Sequence, residues 1–171
     1  VISANYPVTV NITPKITDNF STTACSGLPA TVTPTNGGGN IVPVGTTYTW
    51  SLPTIVPLGI TGATAALIGQ TSFSQTLTNT TNSALTVSYN VTATTGGCSA
   101  TIFSVSVTVN PKPVGSVTSP ISPICSGGAI PSIVFSETTG IAGTIDYNWT
   151  RIDATAITGI TGTGSGTITG N

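Results

Sequence analysis

The sequence predicts an all-β fold, on three observations. Apolar and polar residues alternate with period two through several short stretches, the mark of strands with one buried face. No window sustains a helical period with caps, because Pro and Gly interrupt nearly every one, and each costs a helix interior about 1 to 3 kcal/mol. A set of landmarks also recurs in the same order about one hundred residues later, as it does when a chain repeats a module.

In chain order, the first strand is Tyr6, Val8, Val10 and Ile12, alternating with polar residues or Pro. A looser alternation follows at Tyr48 to Leu52. The clearest pair comes next: Leu85, Val87, Tyr89, Val91 and Ala93 alternate with Thr, Ser and Asn, and Phe103, Val105, Val107 and Val109 with Ser and Thr. The TTGGCSAT link between them carries two glycines, so the two strands are expected to pair antiparallel. The Gly-rich stretches NGGGN at 36–40 and GTGSG at 162–166 lack the Lys and flanking helix of a phosphate cradle and read as flexible loops.

Composition excludes several functions. Only 4% of residues are charged, against roughly 25% in an average soluble domain. Lys15, Lys112 and Arg151 are the only cations, too few to neutralise a nucleic-acid backbone or to dock on an anionic membrane. No apolar run approaches the ~18 to 20 residues that span a bilayer, so neither nucleic-acid binding nor membrane insertion is expected. Thr and Ser make up roughly a third of the chain, a strand and turn vocabulary. So weakly charged a surface resists self-association little, which points to protein neighbours or surface glycans as partners.

The repeat sets the domains. VTVN at 8–11 answers VTVN at 107–110, and Pro14-Lys15 answers Pro111-Lys112. ACSG at 24–27 answers ICSG at 124–127, YTW at 48–50 answers YNW at 147–149, and GITG at 59–62 answers GITG at 159–162. Residues 1–15 therefore read as an orphan closing strand, 16–113 as a complete module and 114–171 as a partial second one, without counterparts of Ser72 to Asn110. The chain has the register of a repeating array cut out of phase.

The series CSG, YTW, GITG, LTNTT, SYNVTATTGGC and VSVTVNPKP resembles the PKD-like repeat found in tandem in long secreted surface proteins of Bacteroidota-type bacteria, adhesins among them. The resemblance implies an immunoglobulin-like β-sandwich serving as a structural or adhesive extracellular unit, with no cofactor. Short alternating strands between Gly, Pro and Asn turns fit two antiparallel sheets packed face to face. The expected core is Trp50, Tyr89, Phe103, Val105 and Val107, with Trp149 in the second module. Cys25 and Cys98 share one module, and a disulfide between them would stabilise it by roughly 4 to 5 kcal/mol on the chain-entropy estimate; the alternative is two free thiols. Cys125 is expected to be a free thiol, its partner's position falling in the part without a counterpart.

Catalytic chemistry is not expected. The chain has no His, hence no imidazole base and no His metal ligand. Of its acids, Asp18, Glu137, Asp146 and Asp153, the last two flank a predicted strand and read as turn or strand-end residues, and no cluster of Asp and Asn stands ready to hold a calcium ion. Sequons at Asn11, Asn79, Asn90 and Asn148 are candidate glycosylation sites, with turn or strand-end Asn beside Thr as the plainer reading.

Two functional expectations follow, neither of them enzymatic. In the first, the chain is a subunit of an extracellular, cell-surface filament: Tyr6, Val8, Val10 and Ile12 of one copy add as a strand to the partial module of the next, giving a head-to-tail homopolymer. In the second, it is a segment of a tandem-repeat adhesin, or an accessory binding module of a secreted protein, without self-assembly.

Overall fold

The computed structural model describes residues 7–8, 10–100, 102–117, 123–141, 145–150, 163–165 and 168–170, and every regular element among them is a strand. The chain divides into two compact units, Val1–Pro111 and Lys112–Asn171.

The first unit carries β1 (Phe20–Cys25), β2 (Pro29–Val32), β3 (Thr47–Trp50), β4 (Ile60–Thr61), β5 (Ala66–Gln70), β6 (Phe73–Thr76), β7 (Thr78–Asn79), β8 (Leu85–Thr95), β9 (Cys98–Ser99) and β10 (Phe103–Asn110). One sheet runs β1-β10-β8-β3-β5, with β9 folded back on the end of β8. The pairs β2–β6 and β4–β7 face it. This is an immunoglobulin-like sandwich: β8 pairs antiparallel with β3 and β10, and β1 joins β10 in parallel.

Alternation in the sequence becomes burial in the fold. Along β10, Phe103, Val105, Val107 and Val109 are buried; along β8 it is Val87, Tyr89, Val91 and Ala93. The register sets Val105 opposite Tyr89 and Val107 opposite Val87, so the two inward rows form one apolar surface. The facing layer covers it with Ala30, Ile60, Phe73 and Leu77. Phe73 bridges the layers, its ring 4.9 Å from Trp50 and 5.1 Å from Tyr89. Each such side chain stabilises the fold by about 1.5 to 3 kcal/mol through burial, so the sandwich rests on this centre. The expected core residues Trp50, Tyr89, Phe103, Val105 and Val107 all sit in it.

Backbone detail comes from glycine at two places. Gly96 and Gly97 join β8 to β9 with φ of 54° and 81°; a two-residue hairpin turn of the type that suits strand twist needs positive φ at both positions. Gly62 has φ 88°, and a Cβ there would stand 2.7 Å from the carbonyl oxygen of Thr76.

NGGGN is not the flexible loop expected from its composition. Asn40 is buried, its Oδ1 accepting from the backbone N–H of Thr17 at 2.8 Å and its Nδ2 donating to Oδ2 of Asp18 at 2.6 Å. The backbones of Lys15 and Ile41 exchange hydrogen bonds of 2.9 and 2.7 Å. The polar residues flanking the glycines thus clamp the entry of the module to this turn.

In the second unit, β11 (Gly115–Val117) pairs with β13 (Phe135–Glu137), β12 (Ile130–Ile133) with β16 (Ile168–Gly170), and β14 (Asn148–Thr150) with β15 (Thr163–Ser165), all antiparallel. Two pairings of the first unit recur in these: β14 on β15 corresponds to β3 on β5, and β12 on β16 to β2 on β6. A counterpart of β6 therefore lies in the second unit, which corrects the expectation that its correspondence to the first stops before Ser72. The middle of GTGSG therefore lies in β15 rather than in a flexible loop: Gly164 pairs with Trp149, and backbone pairing there does not depend on side chains.

Candidate functional site

The feature that stands apart is the segment before the first module. Val8 is 83% exposed, Val10 84% and Ile12 63%, whereas Val107 and Val109, in the same VTVN sequence within β10, are 0% and 1% exposed. No strand pairing involves the described residues from 7 to 14. The segment is tethered at Asn11, whose Nδ2 donates to the carbonyl of Gly96 at 2.9 Å. Three apolar side chains that repeat a core pattern are thus held in solvent at one end of the unit. Tyr6 lies outside the described residues.

The cysteines require a correction. Cys25, Cys98 and Cys125 are all free, and the expected bond between Cys25 and Cys98 is excluded by topology. Cys25 ends β1 beside Asn110, the last residue of β10. Cys98 pairs with Thr95, at the end of β8 beyond Val91, which is itself level with Phe103 at the start of β10. About eleven residue rises, roughly 35 Å along the sheet, separate the two, where a disulfide needs Cα atoms about 4.4 to 6.8 Å apart. Sharing a module did not imply sharing an end of it. Cys25 and Cys125 occupy matching turns: the N–H of Leu28 donates to the carbonyl of Cys25 at 3.0 Å, and that of Gly128 to the carbonyl of Cys125 at 2.9 Å.

The sequons separate by environment. Asn11, Asn90 and Asn148 are exposed. Asn79 is not available: it is 5% exposed, and its Nδ2 donates to the carbonyls of Val109 and Ser83, both at 2.8 Å. Its Oδ1 accepts from the N–H of Thr81 at 2.9 Å. The carboxamide thus satisfies backbone groups where β7 turns toward β8 and closes on the end of β10, and it corrects the expectation of a glycosylation site there. A sequon overlooked in the sequence reading, Asn19-Phe20-Ser21, is also committed to the fold, with Oδ1 of Asn19 accepting from the N–H of Ser104 at 3.1 Å.

Among the described residues, Asp18, Glu137, Tyr48 and Tyr89 serve the fold. Asp18 serves the Asn40 clamp, and Glu137 accepts from the backbone N–H groups of Thr139 and Gly140, the latter at 2.7 Å, as a turn-capping carboxylate does. Burial pushes the Tyr89 phenol up to about 12 and raises that of Tyr48; both are core side chains. Trp149 is half-buried in β14, with its indole nitrogen buried and without a hydrogen-bond partner among the described residues. In the first unit the Trp50 indole donates to the carbonyl of Thr64 at 3.1 Å.

The family model for the PKD-like domain matches residues 22–113, from within β1 to just past β10. No curated protein matches the chain.

Proposed function

This chain belongs to the PKD-like domain family, and from that premise we propose that it is a structural subunit of an extracellular, cell-surface filament. PKD-like domains are an immunoglobulin-type structural and binding fold, typical of extracellular proteins. In the proposed assembly the segment from Tyr6 to Ile12 of one copy adds as a strand to the second unit of the next. One observation carries the reading: both valines of VTVN are buried in β10, and their twins Val8 and Val10 stand in solvent.

Magnitudes define what the contact must do. Burying Val8, Val10 and Ile12 is worth about 1.5 to 3 kcal/mol each, comparable in sum with the 4 to 15 kcal/mol cost of association. Side chains alone are therefore marginal, and backbone hydrogen bonds to an open strand edge must supply the surplus. Among the described residues β14 is paired only through β15, whereas its counterpart β3 is paired on both sides, by β5 and β8. A contact of this head-to-tail kind that does not close into a ring propagates as a fibre. The reading makes the chain a non-catalytic building block.

The experiment is electron microscopy and sedimentation of the purified chain beside a Val8→Asp/Val10→Asp variant. Fibres or large oligomers in the parent, lost in the variant while the first unit keeps its thermal transition, are the expected result. A parent that stays monomeric at high concentration overturns the filament and leaves the chain a non-assembling segment of an adhesin.

A further inference from the structure

In the first unit the closing strand β10 does not neighbour β3: the sheet order is β1-β10-β8-β3-β5. Its partners are β8, antiparallel, and β1, parallel, with Ala24 opposite Val109 and Cys25 opposite Asn110. The N–H of Ser26 extends that contact past the end of β1, donating to the carbonyl of Asn110 at 2.8 Å. An open edge at β14, the counterpart of β3, is therefore the place of a β8 counterpart and not of a closing strand.

The second unit repeats the end of β1 without the strand beside it. Gly27 and Gly127 have φ of 83° and 80°. In each unit the next residue closes the same turn on the cysteine, Leu28 on the carbonyl of Cys25 at 3.0 Å and Gly128 on that of Cys125 at 2.9 Å. Their surroundings differ. Ala24 is half-buried against the core and paired in the sheet, whereas Ile124 is 46% exposed and residues 123–125 belong to no strand. Among the described residues, no carbonyl takes the N–H of Ser126 as that of Asn110 takes the N–H of Ser26. Pro123 has no N–H to give, which a strand with one partner tolerates, and β1 is itself an edge strand.

We propose that the segment from Tyr6 to Ile12 of one copy lies parallel to the stretch ending at Cys125 of the next, with Val10 beside Ile124 and Asn11 beside Cys125. This rests on the strand-addition reading and adds to it a receiving edge, a direction and a register. The register follows from the repeat. VTVN at 8–11 matches 107–110, and ICSG at 124–127 matches ACSG at 24–27, so the pairs Ala24 with Val109 and Cys25 with Asn110 translate into Ile124 with Val10 and Cys125 with Asn11. The N–H of Ser126 then donates to the carbonyl of Asn11. Val10, 84% exposed, and Ile124 leave solvent together, which favours the contact through apolar burial. Neither 7–12 nor 123–128 carries a charged residue, so no like charges oppose the approach of one copy to another.

Neighbouring strands run about 4.8 Å apart, inside the roughly 4.4 to 6.8 Å between Cα atoms that a disulfide spans, so cross-linking reads the register. The test uses the full chain carrying Cys25→Ser and Cys98→Ser, with either Asn11→Cys or Thr13→Cys added. Assembled fibres are oxidised with diamide and separated without reductant, and the linked peptides are identified by mass. The expected result for Asn11→Cys is a reductant-sensitive ladder joined between positions 11 and 125, at least tenfold stronger than for Thr13→Cys. Amide exchange on fibres of the unsubstituted chain gives a second reading: the N–H of Ser126 should exchange at least tenfold more slowly than in the Val8→Asp/Val10→Asp chain. Fibres that link equally well through position 13, or in which Ser126 exchanges as fast as in that chain, overturn the register while strand addition stands. An unsubstituted chain that forms no fibres overturns both.

Discussion

The phenol of Tyr89 donates a hydrogen bond to Oε1 of Gln75 at 2.9 Å, in buried space between the two layers of the sandwich. It ties the centre of β8 to β6, and Gln75 in turn holds Thr64 through its backbone N–H and hydroxyl. Tyr89→Phe is expected to cost about 1 kcal/mol, because the acceptor keeps its other donors. Burial of the same phenol sets an alkaline limit. The folded phenol titrates near 12 against 10.0 for the ordinary group, so the folded state holds its proton where the unfolded state has lost it. Its stabilising effect is complete below pH 10 and fades as pH rises toward 12. Denaturant midpoints measured from pH 9 to 12 should fall more steeply for the parent than for Tyr89→Phe; equal slopes would assign the limit elsewhere.

Asn79 is a structural residue, and its removal should show in stability. Asn79→Ala leaves the buried carbonyl of Val109 without its side-chain donor and frees the turn at Thr81. Unsatisfied buried groups cost about 1 to 3 kcal/mol each, so a loss of roughly 2 to 4 kcal/mol is expected by urea unfolding. A change below about 0.5 kcal/mol, the range of ordinary surface substitutions, would contradict the role.

The two copies of VTVN give a matched pair of mutations. Val107→Ala removes two buried methyl groups and leaves a cavity, a loss of about 2 kcal/mol. Val8→Ala changes a side chain in solvent and should alter the stability of the dilute chain by less than about 0.5 kcal/mol. Thermal unfolding at low concentration separates them, and equal effects would mean that Val8 is buried in the isolated chain.

All three thiols should be free. Alkylation of the unfolded chain without reductant is expected to add three adducts by intact mass. A single adduct would restore the Cys25 to Cys98 bond and refute the strand topology. In the native state Cys25 and Cys125, both exposed, should react ahead of the half-buried Cys98.

Gly62 is required by its backbone. At φ 88° with the Thr76 carbonyl 2.7 Å from the site of a Cβ, Gly62→Ala combines a left-handed conformation with a clash against main chain that cannot rotate away. A loss of about 1 to 3 kcal/mol is expected, read by thermal unfolding. A neutral result would show that the turn after β4 relaxes freely.

Much of the fold was legible in the residues because strand periodicity is a local property. Leu85 to Ala93 and Phe103 to Val109 each state which face is buried, and two glycines between them state that the chain returns. The repeat was legible for the same reason: VTVN, CSG and YTW are strings that need no partner to be recognised. The short strands β2, β4, β6 and β7 carry too few residues to show a period, and they emerged only once the opposite sheet gave them something to cover.

The sequence by itself determined the all-β class, the core of the first module, the absence of imidazole chemistry and the presence of an apolar strand pattern ahead of that module. Only the tertiary structure decided the cysteines, because the ends to which β1 and β9 carry Cys25 and Cys98 depend on strand order, which no local pattern encodes. It likewise decided that Asn79 is a buried clamp while Asn90 is exposed on the outward face of β8, although both sit in the same Asn-X-Thr triplet. Burial is a property of what lies opposite, and for these residues what lies opposite comes from strands distant in sequence.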